Sequence, residues 1–191
     1  DGTSGLATGI APDATLMCLK TSSKTETSTT FNRLSSAIEF AVEHGADIIS
    51  ISVGGWVNDN VARASFRQIF DNALNLGVIT SAAAGNNRQY LTTTLPAPRN
   101  INSPSDCPPP WIHPDQQGNG TNVSGVVSVG GVNDENQVIS ISSQGPTTWQ
   151  ETSYADYPYN PGIGLIRPDI VAPGDGIKSL DYETNDGYAI K

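Results

Sequence analysis

The sequence predicts an α/β domain with a central, mostly parallel sheet and helices on both faces. Three observations predict it. Over the first two-thirds of the chain, short apolar runs alternate with segments of helical periodicity. The runs Asp47–Val53 (DIISISV) and Val78–Ala84 (VITSAAA) are near-continuous, the pattern of parallel strands buried on both faces. Finally, 191 residues, 37% hydrophobic with 19 Gly and 15% charged, suffice for one domain with a core and little more.

Taken in order, Ala14–Lys20 (ATLMCLK) is the first expected strand. After a Ser/Thr-rich turn, Thr30–His44 is expected to be a helix, because Leu34, Ala37, Ile38, Ala41 and Val42 follow i, i+3, i+4, i+7, i+8. Gly45 supplies its stop. Asp47–Val53 is the second strand. Asn58 or Asp59 can cap a second helix running to about Leu76, with the stripe Phe66, Ile69, Phe70, Ala73, Leu74. Gly77 ends it, and Val78–Ala84 is the third strand. Right-handed crossovers follow from this order, and ligands belong at the carboxyl ends of the strands. Those ends are Ser52-Val53-Gly54-Gly55 and Ala83-Ala84-Gly85-Asn86.

Residues 88–122 lack periodicity and are expected to form a long loop, with Cys107-Pro108-Pro109-Pro110-Trp111 inside it. A fourth strand is expected at Gly125–Val132, then a short apolar run Val138–Ile141. Thr147–Gly164 is expected to be irregular. Asp169–Ala172, Gly176–Leu180 and Tyr188–Ile190 are short strand candidates. Cys18, inside an apolar run, is expected to be buried; whether it pairs with Cys107 is left open.

The formal charge of −9, from 19 acidic and 10 basic residues, repels phosphate backbones and argues against a nucleic-acid partner. No apolar run reaches the roughly 18 residues of a membrane span. Four clustered zinc ligands are absent. Neither GxGxxG nor GxxxxGK[ST] occurs, which argues against a nucleotide-binding α/β domain.

Two strand ends could carry chemistry. In Ala82-Ala83-Ala84-Gly85-Asn86 the small residues admit a substrate backbone, and the Asn86 carboxamide could donate to an oxyanion. A plain turn is the competing reading, since Gly-Asn is a common turn pair. Ser52-Val53-Gly54-Gly55 exposes backbone that an extended peptide could pair with, or is likewise a turn.

The order of the blocks Gly9-Ile10-Ala11-Pro12-Asp13-Ala14, Ile49–Gly55, Ala82–Asn86, Ser142-Ser143-Gln144-Gly145-Pro146 and Arg167–Gly174 resembles the subtilisin-like serine proteases. The resemblance implies a three-layer subtilisin-like fold, here incomplete, and peptide-bond hydrolysis by an Asp/His/Ser triad. It implies that Asn86 is the oxyanion-hole donor and that Ser52, Val53, Gly54 and Gly55 line the substrate backbone. Ala83 and Gly85 would wall the primary side-chain pocket, and their small size suggests a large apolar residue there. A polypeptide substrate and a secreted or extracytoplasmic location are implied. The chemistry requires no cofactor. A structural calcium is compatible with the resemblance, with no ligands assigned and metal sites left unknown. Residues 88–122 would be an insertion.

The chain departs from the family at the triad. Its only histidines, His44 and His113, do not stand in a His-Gly-Thr block. Asp1-Gly2-Thr3 imitates that block, but only five residues separate Thr3 from Gly9, too few for the helix the block opens. Gly2-Thr3-Ser4 imitates the nucleophile's block on the wrong side of the chain. Gly187–Lys191 resembles the lead-in to the true one. The expectation is an internal fragment, residues 1–191, lying between the catalytic His and Ser blocks and inactive alone. The alternative is a non-catalytic subtilisin-like peptide-binding or scaffold domain. Asn119-Gly120-Thr121 and Asn122-Val123-Ser124 are glycosylation sequons.

Overall fold

The computed structural model describes residues 9–23, 25–26, 28–117, 122–159, 164–180 and 188–190. The amino-terminal imitations of the His-Gly-Thr and Gly-Thr-Ser blocks and the sequon at Asn119 lie outside them.

Both expected helices form, for local reasons. Helix α1 (Phe31–Glu43) starts where the Thr30 side chain accepts from the Arg33 N–H. It ends at His44, and Gly45 takes the φ of +79° that a side chain would resist. Leu34, Ile38 and Ala41, three of its expected stripe, are buried. Helix α2 (Asn60–Asn75) is capped by Asp59, whose carboxylate accepts from the Val61 N–H at 2.9 Å. Its inner face carries Phe66, Phe70, Ala73 and also Arg67.

Strands β1 (Ile48–Ile51), β2 (Ile79–Ala83), β3 (Val126–Val132) and β4 (Ile170–Pro173) form one parallel sheet in the order β1-β2-β3-β4. The register pairs Ile51 with Ala82 and Thr80 with Val126. Ile51, Ala82 and Val126 cluster with Leu34 and Ile38 of α1 and Phe66 and Phe70 of α2, so both helices cover that face. Phe31 and Phe66 meet edge-to-face at 4.4 Å between ring centres, joining the helices. On the opposite face Ile48 and Ile79 are exposed, and no second helical layer falls among the described residues. A separate antiparallel pair joins β5 (Lys178–Leu180) to β6 (Tyr188–Ile190).

The first expected strand is not one. Ala14–Lys20 joins no ladder among the described residues, and Leu16 is 83% exposed. An apolar run becomes a strand only when a neighbour satisfies its N–H and C=O rows. β1 is the sheet edge here and pairs only with β2. Cys18, in that run, is exposed rather than buried, Cys107 is buried, and both thiols are free. Val138–Ile141 likewise forms only an isolated bridge, Val132 with Val138.

The aperiodic stretch after β2 enters the interior. Asn100, Ser105 and Cys107 have no exposed surface. Trp149 and Tyr157, from the irregular segment before β4, complete the core.

Candidate active site

β1 and β2 are parallel neighbours, so their carboxyl ends lie side by side and bring the two predicted segments together. Ser52, Val53, Gly54 and Gly55 are exposed, as are Ala83 and Asn86, while Gly85 is half-buried. Gly85 turns the chain with φ +111°, a conformation that requires glycine.

Buried polar groups hold this turn. Ala84 donates its N–H to Val129 O at 2.9 Å, and its carbonyl accepts from the Asn102 N–H at 2.9 Å. The Gly85 carbonyl accepts from the Ser143 N–H at 2.9 Å, and the Asn87 N–H donates to Ser143 Oγ at 2.9 Å. Asn100, fully buried, donates Nδ2 to the carbonyls of Asn87 (2.7 Å) and Leu95 (2.9 Å) and accepts at Oδ1 from the Gln144 N–H (2.9 Å). Every neighbour of Asn86 is therefore anchored. The Asn86 carboxamide itself has no hydrogen bond among the described residues, leaving its donor available to a bound group.

Opposite, Gly55 and Ser103 form an antiparallel bridge, with the Gly55 N–H on Ser103 O at 3.1 Å and the Ser103 N–H on Gly55 O at 2.9 Å. Both polar groups of Gly55 are thus spent inside the protein. Val53 and Gly54 make no such bonds among the described residues. Ser103 is in turn fixed by Asp106, which accepts from Ser103 Oγ at 2.7 Å and from Arg63 Nε at 2.9 Å.

Asn100, Asn102 and the anchoring role of Ser143 escaped sequence reasoning. The two asparagines lie in a stretch with no periodicity, and Ser143 belongs to a block whose order, not whose bonding, was legible. The histidines sit apart from this arrangement. His44 ends α1, its Nδ1 2.8 Å from Phe40 O and its ring stacked on Phe40 at 3.7 Å. His113 accepts from the Asp115 N–H in a loop turn. Neither imidazole bonds a serine hydroxyl among the described residues. No group of three or more His, Cys, Asp or Glu converges to hold a metal ion among the described residues, so no calcium ligands are assigned.

A model of the subtilase family of peptidases matches residues 1–189. The chain belongs to the subtilase family. Over 170 residues this subtilase is 25% identical to the membrane-bound transcription factor site-1 protease of Mus musculus, covering 89% of the chain but 13% of the relative. It is 27% identical over 137 residues to subtilisin E of Bacillus subtilis (strain 168), covering 72% of the chain and 29% of the relative. The subtilase chain thus spans less than a third of the length of these relatives. Its fold matches the prenylagaramide maturation protease PagA with a TM-score of 0.58 at 20% identity, covering 89% of the chain and 46% of PagA. It also matches the epidermin leader peptide processing serine protease of Staphylococcus aureus with a TM-score of 0.55 at 21% identity, covering 87% of the chain and 36% of that protease.

In this subtilase the Arg167-Pro168-Asp169 block staples β4 to β3. Asp169 accepts from the Ser128 N–H at 2.7 Å and pairs with Arg167. No helix among the described residues is long and apolar enough to cross a membrane.

Proposed function

We propose that the protein is a serine endopeptidase and that these residues provide its substrate cleft and oxyanion donor. The observation that carries the reading is Asn86, exposed and unpartnered at the end of β2, beside the unpaired backbone of Val53 and Gly54 at the end of β1. An extended polypeptide adds to Ser52–Gly54 by main-chain hydrogen bonds. Its scissile carbonyl then gains negative charge during attack, and the Asn86 carboxamide stabilises that charge. The small, exposed Ala83 leaves room for the side chain preceding the bond, while the Asn102 carboxamide packs against Gly85. Hydrolysis further requires an acid, a base and a nucleophile in hydrogen-bond reach of one another. Side-chain acid–base chemistry needs no cofactor. The low charge content suits a secreted or extracytoplasmic enzyme.

Fluorophosphonate labelling tests this. The longest natural product of the gene should label at a serine, and the 191-residue chain alone should not. Labelling of the short chain, or none of the long one, defeats the proposal. Within the active protein, Asn86→Ala should lower kcat by about 10²–10³ with little change in KM, the magnitude known for the oxyanion-hole asparagine of subtilisin.

A further inference from the structure

The two peptide groups flanking Asn86 are both held by Ser143, which has no exposed surface. Its N–H donates to the Gly85 carbonyl at 2.9 Å, and its Oγ accepts from the Asn87 N–H at 2.9 Å. Because peptide groups are planar, fixing these two planes fixes φ and ψ of Asn86, and with them the direction of its Cα–Cβ bond. Ser143 is held in turn. The N–H of the next residue, Gln144, donates to Oδ1 of the fully buried Asn100 at 2.9 Å. Asn100 Nδ2 then returns to the Asn87 carbonyl at 2.7 Å and also reaches Leu95 O at 2.9 Å. Asn87, Ser143, Gln144 and Asn100 thus close a ring of hydrogen bonds beside the turn that carries Asn86.

We propose that Asn100 is a positioning residue for peptide cleavage, acting through Asn86 by closing the ring that aims it. The site demands a carboxamide. Two buried carbonyls need donors and one N–H needs an acceptor, all from a single side chain. A carboxamide offers both, whereas a carboxylate would set an oxygen against the two carbonyls. Backbone groups left unsatisfied in the interior are relieved only if the turn shifts. A shift matters because an oxyanion donor works only when it already points at the place where the charge forms. Misplacing a catalytic group by about 1 Å can cost about 10²-fold in rate. The whole effect passes through one donor, so it has a ceiling, the loss that follows from removing Asn86 itself. The inference rests on the peptide-cleaving reading of this turn.

The test is a double-mutant cycle in the full-length protein, with steady-state hydrolysis of a chromogenic tetrapeptide anilide as the readout. Asn100→Asp keeps the side-chain volume and loses the donors. It should lower kcat by about 10- to 10²-fold and leave KM within about twofold. Introduced into Asn86→Ala, it should lower kcat no further, because the donor it aims is already gone. A role confined to stability would reduce the active fraction by the same factor in both backgrounds. Ser143→Ala keeps the N–H on the Gly85 carbonyl and loses only the Oγ acceptor. It should show a smaller loss of kcat with the same cancellation, and it decides the matter if the Asn100 variant does not fold. Wild-type kcat in these variants, or losses that multiply with that of Asn86→Ala, overturn the inference. If that happens in a protein that still labels with fluorophosphonate, the peptidase reading stands and the role of Asn100 falls. If the full-length protein neither labels nor cleaves, both fall together.

Discussion

Arg67 and Asp156 form an ion pair whose removal should be the most damaging single change distant from the cleft. The Arg67 side chain has no exposed surface, and its two terminal nitrogens donate to both Asp156 oxygens at 2.7 and 2.8 Å. Its guanidinium lies 3.9 Å from the Tyr154 ring centre and 5.0 Å from that of Trp149. Arg63 covers the same Trp149 at 4.4 Å, and Trp149 Nε1 donates to Asp106 O at 2.9 Å. The pair therefore locks α2 to the irregular segment that supports the loop behind Gly55. Asp156→Asn leaves the guanidinium buried without its counter-charge. Coulomb attraction at about 4 Å with an effective dielectric near 20 is about 4 kcal/mol, and breaking buried pairs costs about 3–5 kcal/mol. With a urea m-value of about 2 kcal/mol/M, the unfolding midpoint should fall by about 2 M. Replacing both partners, Arg67→Met with Asp156→Leu, should recover much of the loss because no charge is then stranded. A midpoint shift below about 0.3 M for Asp156→Asn, or a double variant no more stable than the single one, would refute this reasoning.

Three further outcomes are expected. Gly54→Ala places a Cβ 2.7 Å from the Ser103 carbonyl oxygen, whereas a Cβ on Gly55 meets nothing within 4 Å. The first should cost about 1–3 kcal/mol in urea unfolding and the second much less, and equal costs would contradict the packing described. Cys18 is exposed and Cys107 buried, with burial pushing the Cys107 thiol well above its ordinary pKa. A disulfide reagent should modify one thiol in the native protein and the second only after unfolding; native modification of Cys107 would contradict its burial. The hydrogen bond from Arg33 holds the exposed Glu26 carboxyl at about 2 instead of 4.5. Because that pKa is depressed in the fold, the contact contributes fully above about pH 4.5 and is lost as pH falls through 2. NMR titration should place the Glu26 midpoint near 2 and return it toward 4.5 in Arg33→Ala; an unchanged midpoint in that variant would reject the assignment.

What was legible in the sequence is what local chemistry controls. The stripe of Leu34, Ile38 and Ala41, the caps at Thr30 and Asp59 and the stops at Gly45 and Gly77 all act within a few residues, and both helices formed as expected. The parallel strands followed from the apolar runs between them. The order of short blocks marked the family and placed Asn86 beside the glycine-ended β1.

Tertiary structure decided the rest, because those outcomes depend on partners distant in sequence. Ala14–Lys20 has the composition of a strand, but it pairs with no strand among the described residues and forms none there. Asn100 and Asn102 look like ordinary loop residues until folding buries the first as an anchor for Asn87 and sets the second between Gly54 and Gly85. Arg67 breaks the apolar stripe of its helix, and only Asp156, 89 positions along, makes its burial tolerable. Periodicity records which face of an element turns inward. It carries no record of which polar group waits there, since that pairing is made across the fold.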